Sequence, residues 1–144
     1  MIVADTNVIV RGILSPQGAS GYVLKEILRG RLAFALSPAV VLEYEDVLSR
    51  PGILGNPAVA SAAEVEIILD ALCAVAVQVS SYFRFRPFLD DPKDDLFVEC
   101  AFAAGARIIL TDDRHFRYGA LKAFGVRAMS AKQFILELRT GGVS

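Results

Sequence analysis

The sequence predicts an α/β fold, a three-layer α/β/α arrangement around a central and mainly parallel sheet. Three observations predict it. Short, almost wholly apolar runs recur along the chain, among them Ile2 to Ala4, Leu32 to Leu36 and Arg107 to Leu110. Strands buried on both faces read in this way, because neither face has to present polar side chains to water. Longer segments lie between the runs, with apolar residues at helical spacing and with helix-start and helix-stop residues at their ends. Strand and helix therefore alternate over 144 residues, the pattern of a parallel sheet covered by helices on both faces.

Taken in order, Ile2 to Ala4 form the first strand and Thr6 to Leu14 a short helix, followed by a loop at Ser15 to Ser20, SPQGAS. Gly21 to Arg29 make a second helix with Leu24, Ile27 and Leu28 on one face, and Leu32 to Leu36 a second strand. Ser37 before Pro38 is a helix start, an N-cap followed by proline at the first helical position, and this helix extends to about Arg50. Glycine and proline make Pro51 to Pro57 a loop. A long helix from about Ala60 to Cys73 precedes a β-favouring stretch, Ala74 to Val79. The alternating aromatic and basic residues of SYFRFRPF, 81–88, read as a half-buried strand, with base binding as the alternative. Asp91-Pro92 opens a helix to about Gly105, then come the strand at Arg107, a short helix over 114–124, a small strand at Val126 to Ala128 and a last helix from Ser130 to about Arg139. No repeat or linker interrupts the pattern, so residues 1–144 are expected to form a single domain.

Composition narrows the class. Hydrophobic residues make up 54% and charged residues 22% of the chain, the profile of a globule with a filled interior. Cys73 and Cys100 are far apart and form no C-x-x-C, which excludes a disulfide framework and a cysteine zinc site. No apolar run approaches the ~18 residues of a membrane span, and no leader pattern is present, so a cytoplasmic protein is expected. The net charge of −1 does not advertise a nucleic-acid partner. Its distribution is more informative: between Arg107 and Lys132 six basic residues face two acids, an excess that is commonly a solvated surface but can meet phosphates.

The chemistry lies in the acids at the ends of apolar runs. The first strand delivers Asp5, Thr6 and Asn7, and the strand from Arg107 delivers Thr111, Asp112 and Asp113. In an open α/β sheet ligands bind outside the carboxyl ends of the strands, so carboxylates there are placed for chemistry; one strand-end Asp alone could equally cap the next helix. A third group is Asp90, Asp91, Asp94 and Asp95. Asp91 suits an N-cap, and acids in a first turn favour the helix dipole. Helical periodicity separates them by facing. With Ala101 at the centre of the inward face, Asp94 falls about 20° from that centre, whereas Asp95 and Glu99 fall more than about 100° away. An inward charge needs a cation, a donor or a raised pKa. A metal ion shared with the strand-end acids would satisfy it, and hard oxygen ligands suit Mg²⁺ or Mn²⁺. On the helix from Pro38, Glu43 and Glu45 flank the apolar stripe centred on Tyr44 by about 100° on either side, so periodicity leaves both open. His115 has no G-x-S-x-G elbow to serve, and neither G-x-G-x-x-G nor a P-loop is present.

Four segments, ADTNVIV, VVLEYEDVL, DPKDDLFVECAFAAGA and ILTDDRHF, in this order and spacing, resemble the PIN-domain family, and within it the toxins of prokaryotic toxin-antitoxin pairs related to the VapC ribonucleases. The resemblance covers essentially the whole chain. It implies a PIN-like fold and a ribonuclease dependent on Mg²⁺ or Mn²⁺, with Asp5, Glu43, Asp94 and Asp113 as catalytic and metal-holding acids. Thr6, Asn7 and Thr111 support them, and Asp91 reaches the site through water. Asp112 departs from the family pattern, where a small or basic residue is common, and leaves open which of the paired acids is the fourth. The resemblance also implies an RNA substrate, a homodimer and a cognate antitoxin laid over the groove.

Two other classes compete. A non-catalytic PIN-like module would bind RNA or a protein without turnover. A phosphotransfer domain with a strand-end Asp nucleophile would need the D-x-D that DTN lacks, Asn7 standing where the second Asp belongs.

Overall fold

The computed structural model describes residues 1–80, 95–113 and 125–141, with the side chain of Asp95 excepted. The strands are β1 (Ile2–Ala4), β2 (Ala35–Leu36), β3 (Val77–Gln78), β4 (Ile108–Leu110) and β5 (Arg127–Met129). The helices are α1 (Thr6–Leu14), α2 (Ala19–Leu28), α3 (Pro38–Leu48), α4 (Ala62–Val75), α5 (Asp95–Ala104) and α6 (Ala131–Thr140). The fold is α/β, as the alternation of runs and periodic segments predicts. SYFRFRPF, the start of the helix at Asp91-Pro92 and the helix at 114–124 lie outside the described residues.

Every strand pairing among the described residues is parallel. β4 lies between β1 and β5, with Ile2, Val3 and Ala4 opposite Ile108, Ile109 and Leu110. β2 pairs with β3, and a bridge between Ile2 and Phe34 ties this pair to β1. The order across the sheet is thus β3-β2-β1-β4-β5. β1 and β4, the central strands, are buried at every residue, while β3 at one edge is exposed. Burial on both faces is why these runs carry no alternation of polar side chains.

Local signals set most helix boundaries. Ser37 Oγ accepts the Val40 amide at 3.3 Å with Pro38 at the first position, as read from the sequence. Ser61 and Glu64 form a reciprocal capping box that starts α4 at Ala62, two residues later than the apolar periodicity alone places it. Gly105 follows α5 with φ +69°, a conformation that costs glycine nothing. The second strand is shorter than the apolar run Leu32 to Leu36. Ala33 O and Phe34 turn towards β1, whereas Phe34 O and Leu36 O accept from Val77 and Val79, so the run changes partner midway.

The core joins these layers. α5 packs on β1, β2 and β4 through Phe97, Val98, Cys100 and Ala101, all buried, which is the face centred on Ala101 expected from periodicity. α1 packs on α2, and α2 on α6. Phe34, Tyr44, Phe97 and Phe134 are the largest fully buried side chains, and the rings of Tyr44 and Phe97 stack at 6.5 Å. Among the described residues, no helix is long and apolar enough to cross a membrane.

Candidate active site

The strand order has a consequence for chemistry. From β1 the chain builds outward through β2 to β3, then crosses to the other side of β1 to make β4 and β5. Between β1 and β4 the connections leave in opposite directions, and the loops diverge to open a crevice at the carboxyl ends. Asp5 follows β1 and Thr111 follows β4, so both residues sit at that point.

They are bonded to each other. Thr111 Oγ1 donates to Asp5 Oδ2 at 2.8 Å and accepts the Asp113 amide at 2.9 Å, so one buried hydroxyl orients two acidic residues. The backbone locks the same junction, the Asp5 amide donating to Leu110 O at 2.8 Å. Asp5 is only 5% exposed. It occupies the N-cap position of α1 but accepts no capping hydrogen bond. The amides of Thr6 and Asn7 at that helix start still favour its charge, so the carboxylate serves the helix end as well as Thr111.

Burial pushes the Asp5 carboxyl above its ordinary value. The Thr111 hydroxyl and the Thr6 and Asn7 amides oppose that rise, and the negative charge of Asp113 adds to it. Asp113, half-buried, thus lies within electrostatic reach of Asp5. Thr6 Oγ1, beside Asp5 in sequence, is buried and has no hydrogen-bond partner among the described residues. A carboxylate whose charge burial disfavours, with donors on one side and a second acid in reach, suits a hard cation. Among the described residues, no three acidic, histidine or cysteine side chains gather closely enough to hold a metal ion by themselves. Asp5, Asp113 and the Thr6 hydroxyl fit such an ion as part of a larger set.

Helix α3 is brought to the same end of the sheet by Tyr44, whose hydroxyl donates to Ala4 O at 2.6 Å, one residue before Asp5. The bond spans 40 residues, and nothing in the apolar stripe around Tyr44 announces it. Burial raises the Tyr44 hydroxyl well above its usual pKa, so it stays a donor. Glu45, exposed, lines the cavity between α3 and α4 together with Asp70, and its charge acts on Cys73 there. Glu43 is half-buried on the other flank of Tyr44. The α3–α4 cavity, about 510 Å³, holds none of the strand-end acids.

The PIN domain family matches residues 1–115 of the chain. This chain is a member of the PIN-domain family. A relative is the uncharacterized protein MJ1680 of Methanocaldococcus jannaschii, 25% identical over 146 residues, an overlap that takes in 94% of this chain and 90% of the relative. No solved structure matches. PIN domains are generally nucleases, and the crevice of this PIN domain carries carboxylates of the kind such chemistry uses.

The sequence-predicted residues separate into groups. Asp5, Thr111 and Asp113 are brought together. Asp112 is drawn aside, its carboxylate 2.7 Å from the Arg11 guanidinium at the end of α1. Asn7 is exposed at the start of α1, and Thr6 is buried beneath it. Asp91, Asp94 and His115 lie outside the described residues. Two features escaped the sequence. The Tyr44 anchor could have been found only from a phenol placed at the centre of an apolar stripe, where its hydroxyl must find a partner. The Ser37 hydroxyl beside Cys100 had no signal; burial pushes the Cys100 thiol up to about 11, which makes it an inert core residue rather than a nucleophile.

Proposed function

We propose that this PIN domain is a metal-dependent endoribonuclease that hydrolyses phosphodiester bonds of RNA, with Asp5, Glu43, Asp94 and Asp113 holding Mg²⁺ or Mn²⁺. The observation that carries the reading is the buried Asp5 carboxylate at the switch point, oriented by Thr111 and acted on by a second carboxylate, Asp113. Two neighbouring carboxylates with burial raising one of them are costly unless a cation joins them. Asp113 is favoured over Asp112 because its amide is held by the same Thr111 hydroxyl that bonds Asp5, and Glu43 over Glu45 because Glu45 is turned towards α4. Asp94 enters by periodicity, in register with the face that Phe97, Val98 and Ala101 bury.

When bound, the ion supplies Lewis-acid stabilisation of charge on a phosphodiester oxygen. The chain supplies the rest. Thr111 holds Asp5 Oδ2, and its grip on the Asp113 amide fixes where the second carboxylate starts. Thr6 offers a hydroxyl oxygen that has no competing partner among the described residues. Asp91 supports the set through water.

The likeness to the VapC ribonucleases extends the proposal to the toxin of a toxin-antitoxin pair, acting as a homodimer that a cognate antitoxin covers. The test is cleavage of a mixed RNA pool by purified protein with Mg²⁺, with Mn²⁺ and with chelator, alongside Asp94→Asn and Asp113→Asn. Metal-dependent cutting that both substitutions abolish supports the assignment. Cutting that survives both substitutions would sink the site, and metal binding without any cutting would turn the reading to a binding module.

A further inference from the structure

Next to the acid crevice, on its β4 and β5 side, a cavity of about 330 Å³ is lined by Arg11, Gly18, Ser20, Asp112 and Lys132 among others. It adjoins a recess of about 310 Å³ that shares Gly18, Ala19 and Lys132 and continues between α2 and α6 past Tyr22 and Arg139. The charge balance of this groove is positive. Asp112 is the acid that faces it and is already paired with Arg11, whereas Lys132 and Arg139 have no acidic partner among the described residues.

The cavity floor asks for an anion. α2 is a ten-residue helix whose N-cap, Gly18, has no side chain to cap it. Its first bonded amide is that of Tyr22, to Gly18 O at 3.0 Å, so the amides of Ala19, Ser20 and Gly21 have no acceptor among the described residues. Ser20 is 8% exposed and lines the cavity, and its hydroxyl has no hydrogen-bond partner among the described residues. The hydroxyl of this nine-tenths-buried residue lies beside helix amides and the Lys132 ammonium, a set of donors with no acceptor among the described residues. An oxyanion satisfies all of them at once. The second recess adds what a lone inorganic anion would not need: the Tyr22 ring, 45% exposed, and another cation, Arg139. Alternating cations and an exposed ring match single-stranded nucleic acid, whose phosphates and base faces alternate in the same way.

We infer that this groove is a substrate track, in which one phosphodiester seats on Ser20, the α2 amides and Lys132, the adjoining base stacks on Tyr22, and Arg139 meets the next phosphate. The inference rests on the nuclease reading above and adds the path by which the strand leaves the acids, past Asp112 towards α6.

The test separates the two readings. Binding is measured by fluorescence anisotropy with an uncleavable 2′-O-methyl RNA of mixed sequence in Mg²⁺, and cleavage with the unmodified RNA. Lys132→Gln should weaken binding several-fold and reduce the slope of log affinity against log salt by about 0.7, the value for one lost single-strand phosphate contact. Ser20→Ala should weaken binding about tenfold and Tyr22→Leu about fivefold or more. Both should leave the salt slope unchanged, since neither removes a charge. Inorganic phosphate should compete with the RNA on the wild type and far less on Lys132→Gln. These losses support the track whether or not the unmodified RNA is cut, and absence of cutting alone counts only against the nuclease reading. Wild-type affinity and slope in both Lys132→Gln and Ser20→Ala overturn the track, as does a wild type that binds no oligonucleotide, the result a protein-docking surface would give.

Discussion

Thr111→Val tests the centre of the site, because valine keeps the shape of threonine and deletes the one hydroxyl that joins Asp5 to Asp113. The wild-type hydroxyl donates to Asp5 Oδ2 at 2.8 Å and accepts from the Asp113 amide at 2.9 Å. Losing a hydrogen bond to an ionised carboxylate costs about 1.5–3 kcal/mol, and stranding the half-buried amide costs about 1 kcal/mol more. The added methyl returns about 0.8 kcal/mol in a site where Thr111 is 1% exposed. The net penalty is about 2–3 kcal/mol at neutral pH, a fall in Tm of roughly 10 °C at this chain length. The penalty should depend on pH. Once Asp5 is protonated the missing bond is one between neutral groups, worth about 1 kcal/mol, so the variant should come closer to wild type as pH falls towards 3.8. Urea unfolding of the metal-free proteins at several pH values measures this, with the same substitution made in Asp5→Asn as the second arm of a double-mutant cycle. A penalty below about 0.5 kcal/mol, or one that neither pH nor Asp5→Asn alters, would refute the claim that Thr111 acts through the Asp5 carboxylate.

Three further predictions follow from single contacts. Because burial raises the Asp5 carboxyl, the folded state holds that proton more tightly than the unfolded chain, and stability falls as pH rises from 3.8 through the raised value. Asp5→Asn should therefore flatten this part of the Tm–pH profile and gain on wild type towards neutrality in the metal-free protein, while losing the Tm increase that Mg²⁺ gives; an unchanged profile would contradict the buried charge. Tyr44→Phe removes a fully buried hydroxyl and strands Ala4 O, at a cost of about 1–3 kcal/mol, seen as a lower urea midpoint with unchanged slope. Gly21→Ala would set a Cβ 2.3 Å from Pro16 O, so the loop between α1 and α2 must move; the expected cost is about 1–3 kcal/mol, and a wild-type Tm would show that the loop yields freely.

Much of the fold was legible along the chain because its signals are local. An apolar run with no alternation reads as a central strand wherever it occurs, and Ile2 to Ala4 and Ile108 to Leu110 are such strands. Ser37-Pro38 starts a helix through a hydrogen bond that reaches only three residues. The apolar face of α5 follows from a period of 3.6 residues, a property of backbone geometry. The order of the four acids could be read as well, and with it the resemblance to a family that the match over residues 1–115 bears out.

Tertiary structure decided what depends on partners distant in sequence. Leu32 to Leu36 could not state its own strand length, because pairing passes from β1 to β3 within it. Nor could two flanking glutamates declare which faces α4 and which does not; periodicity places both symmetrically until another helix packs on one side. The doublet Asp112-Asp113 divided in the same way: Arg11, 101 residues away, takes one carboxylate, and the Thr111 hydroxyl that bonds Asp5 takes the backbone of the other. The sequence by itself determined that strands and helices alternate and where the acids stand along them, but not where each element ends, since the predicted β stretch Ala74 to Val79 begins within α4. The strand order β3-β2-β1-β4-β5, which brings Asp5 to Thr111 across 106 residues, was decided by packing, since chain direction leaves a strand's neighbours open and only burial of both sheet faces selects them.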